Sequence, residues 1–328
     1  MKTLVTGATG FIGSHVVDIL RDADTEIVCI ARPSSDLRWL EGKNVRIINA
    51  SLDNSESLIP AVKDIDMIIH VAGLTAARND AEFLRGNRDA TQNLLEMATI
   101  HAPNLQRFLH VSSQTVTGPS RSLDEPVHEK SPLQPITAYG RSKKAAEEVV
   151  QSFSDRLPIT IVRPPAVYGE RDTAILTFFQ SVSKGIVPLI GFDEKRVSLI
   201  HGFDLARGIV EAAYHQNTIG ETYFVSSEEF YSWKQIANIT KEAFGKSFIL
   251  PVRVPHGLVM TLAGLSEIFG RFSTKPPVLN FEKGKDLIQP YWICSVEKAQ
   301  KDFDWKQQIS IEQGIERTVR WYIDNKWV

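Results

Sequence analysis

Along the first half of the chain, short apolar runs alternate with longer segments in which apolar residues recur at helical spacing. KTLVTG (2–7) leads into a helical stretch from about Phe11 to Arg21, followed by EIVCIAR (26–32). VRIINA (45–50) precedes a short helical stretch, DMIIHVAG (66–73) a long one reaching about Ala98, and RFLHVSS (107–113) comes next. The series closes with a helix over AYGRSKKAAEE (138–148) and the run ITIVRP (159–164). Several runs lack the polar–apolar alternation of a strand with one wet face. They predict parallel strands covered on both sides. Strand–helix alternation of this length predicts an α/β protein built on a doubly wound parallel sheet.

Beyond Pro164 the pattern loosens. PPAVYGERD is turn-rich, AILTFFQSVSKG is helix-like, and RVSLIHGFDLARGIVEAAY reads as a strand and then a helix. Irregular apolar and aromatic material fills about 226 to 290. This predicts a smaller mixed domain over the open edge of the sheet. VPHGLVMTLAGLSEIFGRF (254–272) is apolar but broken by His256, three glycines and Glu267. It reads as a packing or pocket helix, since no stretch reaches the roughly 18 apolar residues of a membrane span.

Composition narrows the classes. The 328 residues are 43% hydrophobic and 23% charged, ordinary values for a globular protein with ample core. A net charge of −2 offers no basic field for nucleic acid or acidic membranes. The two cysteines, Cys29 and Cys294, form no disulfide framework or zinc spacing, and the eight histidines show no metal-ligand spacing. The chain opens on a strand-like run without a charged and then apolar leader, so a cytoplasmic location is expected.

Chemistry enters with TGATGFIG, which sets Gly7, Gly10 and Gly13 between a strand and a helix. Glycines there permit a tight turn, close approach of a pyrophosphate and tight helix–strand packing, with the anion on free N–H groups at the helix start. At the end of the second strand, Arg32 precedes Ser34 and Ser35, and the first acid, Asp36, comes late. A guanidinium suits a 2′-phosphate, so NADP(H) is favoured over NAD. In the later helix, Tyr139 and Lys143 are four residues apart and share one face, although that pattern alone is common by chance.

TGATGFIG, HVAG (70–73), HVSSQTVTG (110–118), YGRSK (139–143) and RPPAVYG (163–169) occur in this order. Together they resemble the extended short-chain dehydrogenase/reductases, the NAD-dependent epimerase/dehydratase group, over almost the whole chain. ARPSSDLRWLEG, LIHGFDLARGI and the tail ISIEQGIERTVRWYIDNKW look closest to a branch near dihydroflavonol reductases, 3β-hydroxysteroid dehydrogenases and hopanoid-associated sugar epimerases. The resemblance implies a Rossmann-fold dinucleotide domain over 1–165 plus about 196–225. A substrate domain over 166–195 and 226–328 would complete the chain.

It also implies roles. Tyr139 falls on the general acid/base, with Lys143 lowering its ordinary pKa of about 10 and reaching the nicotinamide ribose. Ser113 falls on the hydroxyl that holds the substrate oxygen, with Ser112 one register step away. Cofactor positions are Gly7, Thr9, Gly10, Phe11, Ile12, Gly13, Arg32, Ser51, Leu52, Ala72, Gly73, Asn87, Ser112, Tyr139, Lys143, Pro164 and Val167; Asp53 is an alternative to Ser51.

Gln114 and Thr115 stand where sugar dehydratases carry an Asp-Glu pair, which argues against dehydration. RPPAVYG lacks the Asn usual in nucleotide-sugar enzymes, and Arg196 is the nearest substitute for their Arg near the Ile-His strand. The expected reaction is oxidoreduction of a secondary alcohol/ketone pair; the alternatives are a sugar epimerase with retained cofactor and a non-catalytic cofactor-binding protein. Aromatics such as Phe178, Phe179, Tyr231, Trp233, Phe269, Phe272 and Trp292 suggest an apolar or ring-shaped substrate. A homodimer through the helices at about 80–100 and 138–155 is the family expectation.

Overall fold

The computed structural model describes residues 1–23, 25–270 and 281–328. Phe272 and the side chain of Phe269 lie outside the described residues. In chain order the first strands are β1 (Lys2–Thr6), β2 (Glu26–Ala31), β3 (Arg46–Asn49), β4 (Met67–His70), β5 (Arg107–Val111) and β6 (Ile159–Arg163). They are followed by β7 (Ala166–Tyr168), β8 (Ile186–Ile190), β9 (Arg196–His201), β10 (Thr222–Phe224), β11 (Phe230–Ser232), β12 (Leu250–Val254) and β13 (Tyr291–Trp292). The early helices are α1 (Phe11–Leu20), α2 (Ser55–Val62), α3 (Asp80–Leu84), α4 (Ala90–His101) and α5 (Ala138–Gln151). The later ones are α6 (Leu176–Ser183), α7 (Gly202–Tyr214), α8 (Trp233–Ala243), α9 (His256–Gly270), α10 (Phe281–Ile288), α11 (Glu297–Phe303) and α12 (Ile311–Asp324).

Seven strands form one parallel sheet in the order β3-β2-β1-β4-β5-β6-β10. On one face, residues such as Val16 and Val17 of α1 and Ile209 of α7 pack with Phe303 and Trp305; on the other, Leu58, Leu94, Leu95 and Val150 come from α2, α4 and α5. This is the Rossmann arrangement. Its strand order reverses between β1 and β4, and the crevice at their C-terminal ends is where such sheets take ligands. The glycine loop and the Ala72–Gly73 turn both open onto it.

Two stretches pair or pack across the boundary drawn from the sequence. Residues 196–201, grouped there with the dinucleotide domain, form β9, which pairs with β7, β11 and β13 in a second sheet. Conversely, α11 and Trp305, grouped with the substrate region, pack against the central sheet's core. Ladder partners lie far apart in sequence, so an apolar run reveals a strand without revealing which sheet it joins. The aromatics have a packing role: Phe178, Phe179, Tyr231, Trp233 and Trp292 belong to one apolar cluster with Tyr168 and Tyr322. Among the described residues, no helix is long and apolar enough to cross a membrane.

The long helix read through Ala98 is interrupted. Between α3 and α4 the chain makes a π turn over Arg85–Asp89, with buried Asn87 inside it. Such bulges widen a helix by one residue and redirect a side chain.

Candidate active site

The cradle is shaped by what it excludes. Gly7 has φ +70°, and a Cβ there would lie 2.8 Å from the Ala72 nitrogen. A Cβ at Gly13 would sit 2.1 Å from the Gly7 carbonyl oxygen. Only hydrogen fits at that position, so β1 and α1 approach as closely as backbone allows. Gly10 is the N-cap of α1 and has no side chain, and no acidic residue occupies the first turn. The first N–H groups of α1 are thus open to an external anion. Thr9 and Ile12 are half-buried around them, while the Phe11 ring is committed to packing near Gly202 and His15.

Arg32 is exposed just past β2, and no side-chain partner is found for it among the described residues. Asp36 is turned away to Arg38, whose Nε lies 2.5 Å from its carboxylate. Ser51 holds the loop after β3 through Ser57, and the Leu52 carbonyl accepts from Asn93 Nδ2 at 2.8 Å. Pro164 is buried, its carbonyl accepting from Gln114 N at 2.8 Å, and Val167 is paired in β7 with Ile200.

Tyr139, Lys143 and Ser113 converge at the C-terminal end of β5. Thr137 caps α5, accepting from Gly140 N at 3.1 Å, so Tyr139 stands in the helix's first turn and Lys143 one turn later. The Ser113 hydroxyl lies near enough to the Tyr139 phenol to favour its ionised form. Ser112 instead donates its N–H to Val162 at 2.7 Å and buries an unpaired hydroxyl. Adjacent residues in extended backbone point to opposite sides, which separates the two serines. Lys143 Nζ is buried and donates to the Val111 carbonyl at 2.8 Å, close to Gly73.

The shift at Tyr139 runs opposite to the lowering by lysine that the family resemblance implies. Burial raises the Tyr139 pKa; the nearby Ser113 hydroxyl opposes this and the charge of Asp286 adds to it. Burial also pulls Lys143 down to about 8, with Glu147 holding against it. Glu147 in turn is locked in a buried two-point pair with Arg163 of β6, at 2.9 and 2.6 Å. Beneath lie His70, pushed down to about 3 by burial and then by Lys143, and His110, held well below the usual range for the same causes. Neutral imidazoles leave Lys143 as the cation of this layer.

Three residues outside the sequence-based set position the machinery. Thr115 donates to Ser113 Oγ from its N–H at 3.2 Å and from its hydroxyl at 3.0 Å. With both acceptor directions filled, the Ser113 proton is free to be offered onward. Ser142 donates to the Tyr139 carbonyl at 2.7 Å and accepts from Asn87 Nδ2 at 2.8 Å. Asn87 also clasps both backbone groups of Leu74, at 2.7 and 3.1 Å, tying the loop after β4 to α5. The third is Asp286 on α10, whose Oδ1 is buried and has no hydrogen-bond partner among the described residues.

A family model described as "NAD dependent epimerase/dehydratase family" matches residues 3–238. The chain belongs to that family. This epimerase/dehydratase family member is 28% identical over 327 residues to the ceramide reductase of Caulobacter vibrioides, covering 99% of this chain and 95% of that protein. It is equally 28% identical, over 324 residues, to a 4-hydroxy-2-methyl-3-oxo-4-farnesyl-3,4-dihydroquinoline-1-oxide ketoreductase of Stigmatella aurantiaca (96% and 95% covered). Its fold matches the crystal structure of DesIV, the dTDP-glucose 4,6-dehydratase of Streptomyces venezuelae, with NAD and TYD bound. That likeness has TM-score 0.81 and 23% identity, over 99% of this chain and 98% of the other.

As a member of this family the protein is an enzyme, an NAD(P)-dependent oxidoreductase or epimerase. The residues fit the cofactor. A cradle that a Cβ at Gly7 or Gly13 would fill, and a helix start with no side-chain cap, match a pyrophosphate held by backbone N–H groups.

Proposed function

We propose that the protein is an NADP(H)-dependent oxidoreductase of a secondary alcohol/ketone pair, working chiefly as a ketone reductase. The observation that carries this reading is the convergence of the Ser113 hydroxyl, Tyr139 and buried Lys143 at the end of β5. When bound, the nicotinamide supplies or takes up the hydride. Ser113 directs its free proton at the substrate oxygen and holds it. Tyr139 donates the proton that completes the alcohol and takes it back in the reverse direction. Its raised pKa keeps the phenol protonated at neutral pH, the form a reduction needs. Lys143 anchors the nicotinamide ribose and stabilises phenolate as the proton leaves.

Arg32, exposed at the end of β2 with no side-chain partner among the described residues, supports a 2′-phosphate and hence NADP(H). The adenine side is bounded by Ser51 and Leu52, and the nicotinamide side by Ala72, Gly73, Asn87, Pro164 and Val167. Two observations weigh against the sugar rivals. Thr115 is spent on Ser113, leaving no acid–base pair beside it for dehydration. Arg196 is engaged by Glu194 at 2.5 Å and Gln235 at 3.1 Å, so it is not free for a diphosphate. The relatives named as ceramide reductase and ketoreductase support ketone reduction.

The test is a titration of the purified protein with NADPH and NADH, after assaying for cofactor already bound. A preference for NADPH of about tenfold or more, worth about 1.4 kcal/mol, is expected, and it disappears in Arg32→Ala. Tightly retained NAD, or preference for NADH, would replace this reading with the epimerase.

A further inference from the structure

The helix α10 is tied to the first turn of α5, beside Tyr139. At its start, Glu282 Oε2 accepts from the Ala138 N–H at 2.6 Å, on the first turn of α5. Arg141 braces the same carboxylate at 3.4 Å and reaches Asp80 at 2.9 Å. At its end, buried Lys195 donates to the carbonyls of Ile288 and Gln289 at 2.6 and 3.2 Å. Trp292 Nε1 donates to the Asp286 carbonyl at 3.0 Å, and Gly284 packs against Met260 and Ala263 of α9.

This clamp decides where Asp286 points. It lies one turn beyond Glu282 and so on the same face, toward α5. Its charge is felt at the Tyr139 hydroxyl. The side chain is only 17% exposed, its Oδ2 stands 4.0 Å from Lys283, and its Oδ1 is buried without a hydrogen bond among the described residues. A carboxylate in such a place is costly unless something donates to it. Lys143, the cation nearest the reacting centre, is instead directed to the Val111 carbonyl.

We propose that Asp286 is a specificity-determining residue: its Oδ1 accepts a hydrogen bond from a hydroxyl or amino group borne next to the reacting carbon of the substrate. The assignment rests on the reading of Ser113, Tyr139 and Lys143 as the reacting centre. A site built to receive a donor rejects the analogue without one, because the acceptor is then left buried and unpaired. The substrate class is therefore a hydroxy- or amino-substituted ketone and not a plain one.

Three probes test this: acetophenone, α-hydroxyacetophenone and α-aminoacetophenone. Their binding to the full chain is measured by calorimetry and their turnover with NADPH followed in parallel, for wild type, Asp286→Leu and Asp286→Asn. Wild type is expected to bind a donor-bearing probe roughly tenfold to hundredfold tighter than acetophenone, the scale of a hydrogen bond to a charged group. Asp286→Leu abolishes that preference while holding acetophenone as well or better. Asp286→Asn, which keeps a carbonyl acceptor without the charge, retains preference for the hydroxyl and loses it for the ammonium. Absence of preference in wild type, including absence of binding, overturns the proposal, as does preference surviving in Asp286→Leu. Preference without turnover leaves Asp286 assigned and removes the reductase reading; turnover of all three without preference does the reverse.

Discussion

A residue kept for substrate recognition should cost the fold something, and Asp286 allows that cost to be worked out. Burial, opposed by Lys283 and reinforced by Glu282, raises its carboxyl from 3.8 to about 6; Tyr139 is the titratable group facing it from α5. The folded state therefore binds the proton more tightly than the unfolded chain. Stability from this group is fully present below the unfolded value of 3.8 and is lost as pH rises through about 6. The difference of about two pKa units corresponds to a ceiling of about 3 kcal/mol at neutral pH. Because the side chain is 17% exposed, water recovers part of this, leaving on the order of 1–2 kcal/mol.

Asp286→Asn removes the charge at nearly constant shape. It should raise the unfolding temperature at neutral pH by roughly 2–5 °C. The gap should narrow as pH falls through about 6 and close near 3.8, where the wild-type carboxyl is protonated in both states. Thermal unfolding of the two proteins across this range is the assay. A variant that is less stable than wild type at neutral pH, or a gap that does not change with pH, refutes the reasoning, because Asp286 would then be making a structural bond.

Other outcomes follow from the same geometry. Tyr139→Phe should keep cofactor affinity, read by fluorescence titration, and lose turnover by several powers of ten; near wild-type turnover would remove Tyr139 from the proton step. Lys143 has a folded pKa of about 8, below its ordinary 10.5, so turnover should fall as pH rises through about 8 with loss of the ammonium. Between those two values the unfolded chain binds more protons, so this group's contribution to stability rises with pH, and activity and melting temperature should part company. Gly13→Ala puts a Cβ 2.1 Å from the Gly7 oxygen, so α1 must move; NADPH affinity should drop at least tenfold, about 1.4 kcal/mol, by the same titration.

Much of this protein was legible without coordinates, for local reasons. Unbroken apolar runs separated by helical spacing specify a parallel sheet covered on both faces; six such runs form it, joined by β10, which no run announced. The glycine loop is legible because backbone sterics at Gly7 and Gly13 admit no other residue, whatever surrounds them. Tyr139 and Lys143 share a face because helical periodicity alone puts residues four apart together.

Tertiary structure decided what depends on contacts between distant segments. Ser113 rather than Ser112 meets Tyr139 because strand register against β6 sets which way each hydroxyl points. Asn87 bridges the loop after β4 and α5 through a π turn that no periodicity announces. Arg196–His201 left the central sheet because its ladder partners lie in β7, β11 and β13. Asp286, one acid among 39 acidic residues in the sequence, is distinguished only by the clamp that buries it over Tyr139. Periodicity fixes which residues share a face of one element; burial, register and the pairing of charges belong to the packing between elements, and there the specificity of this site is set.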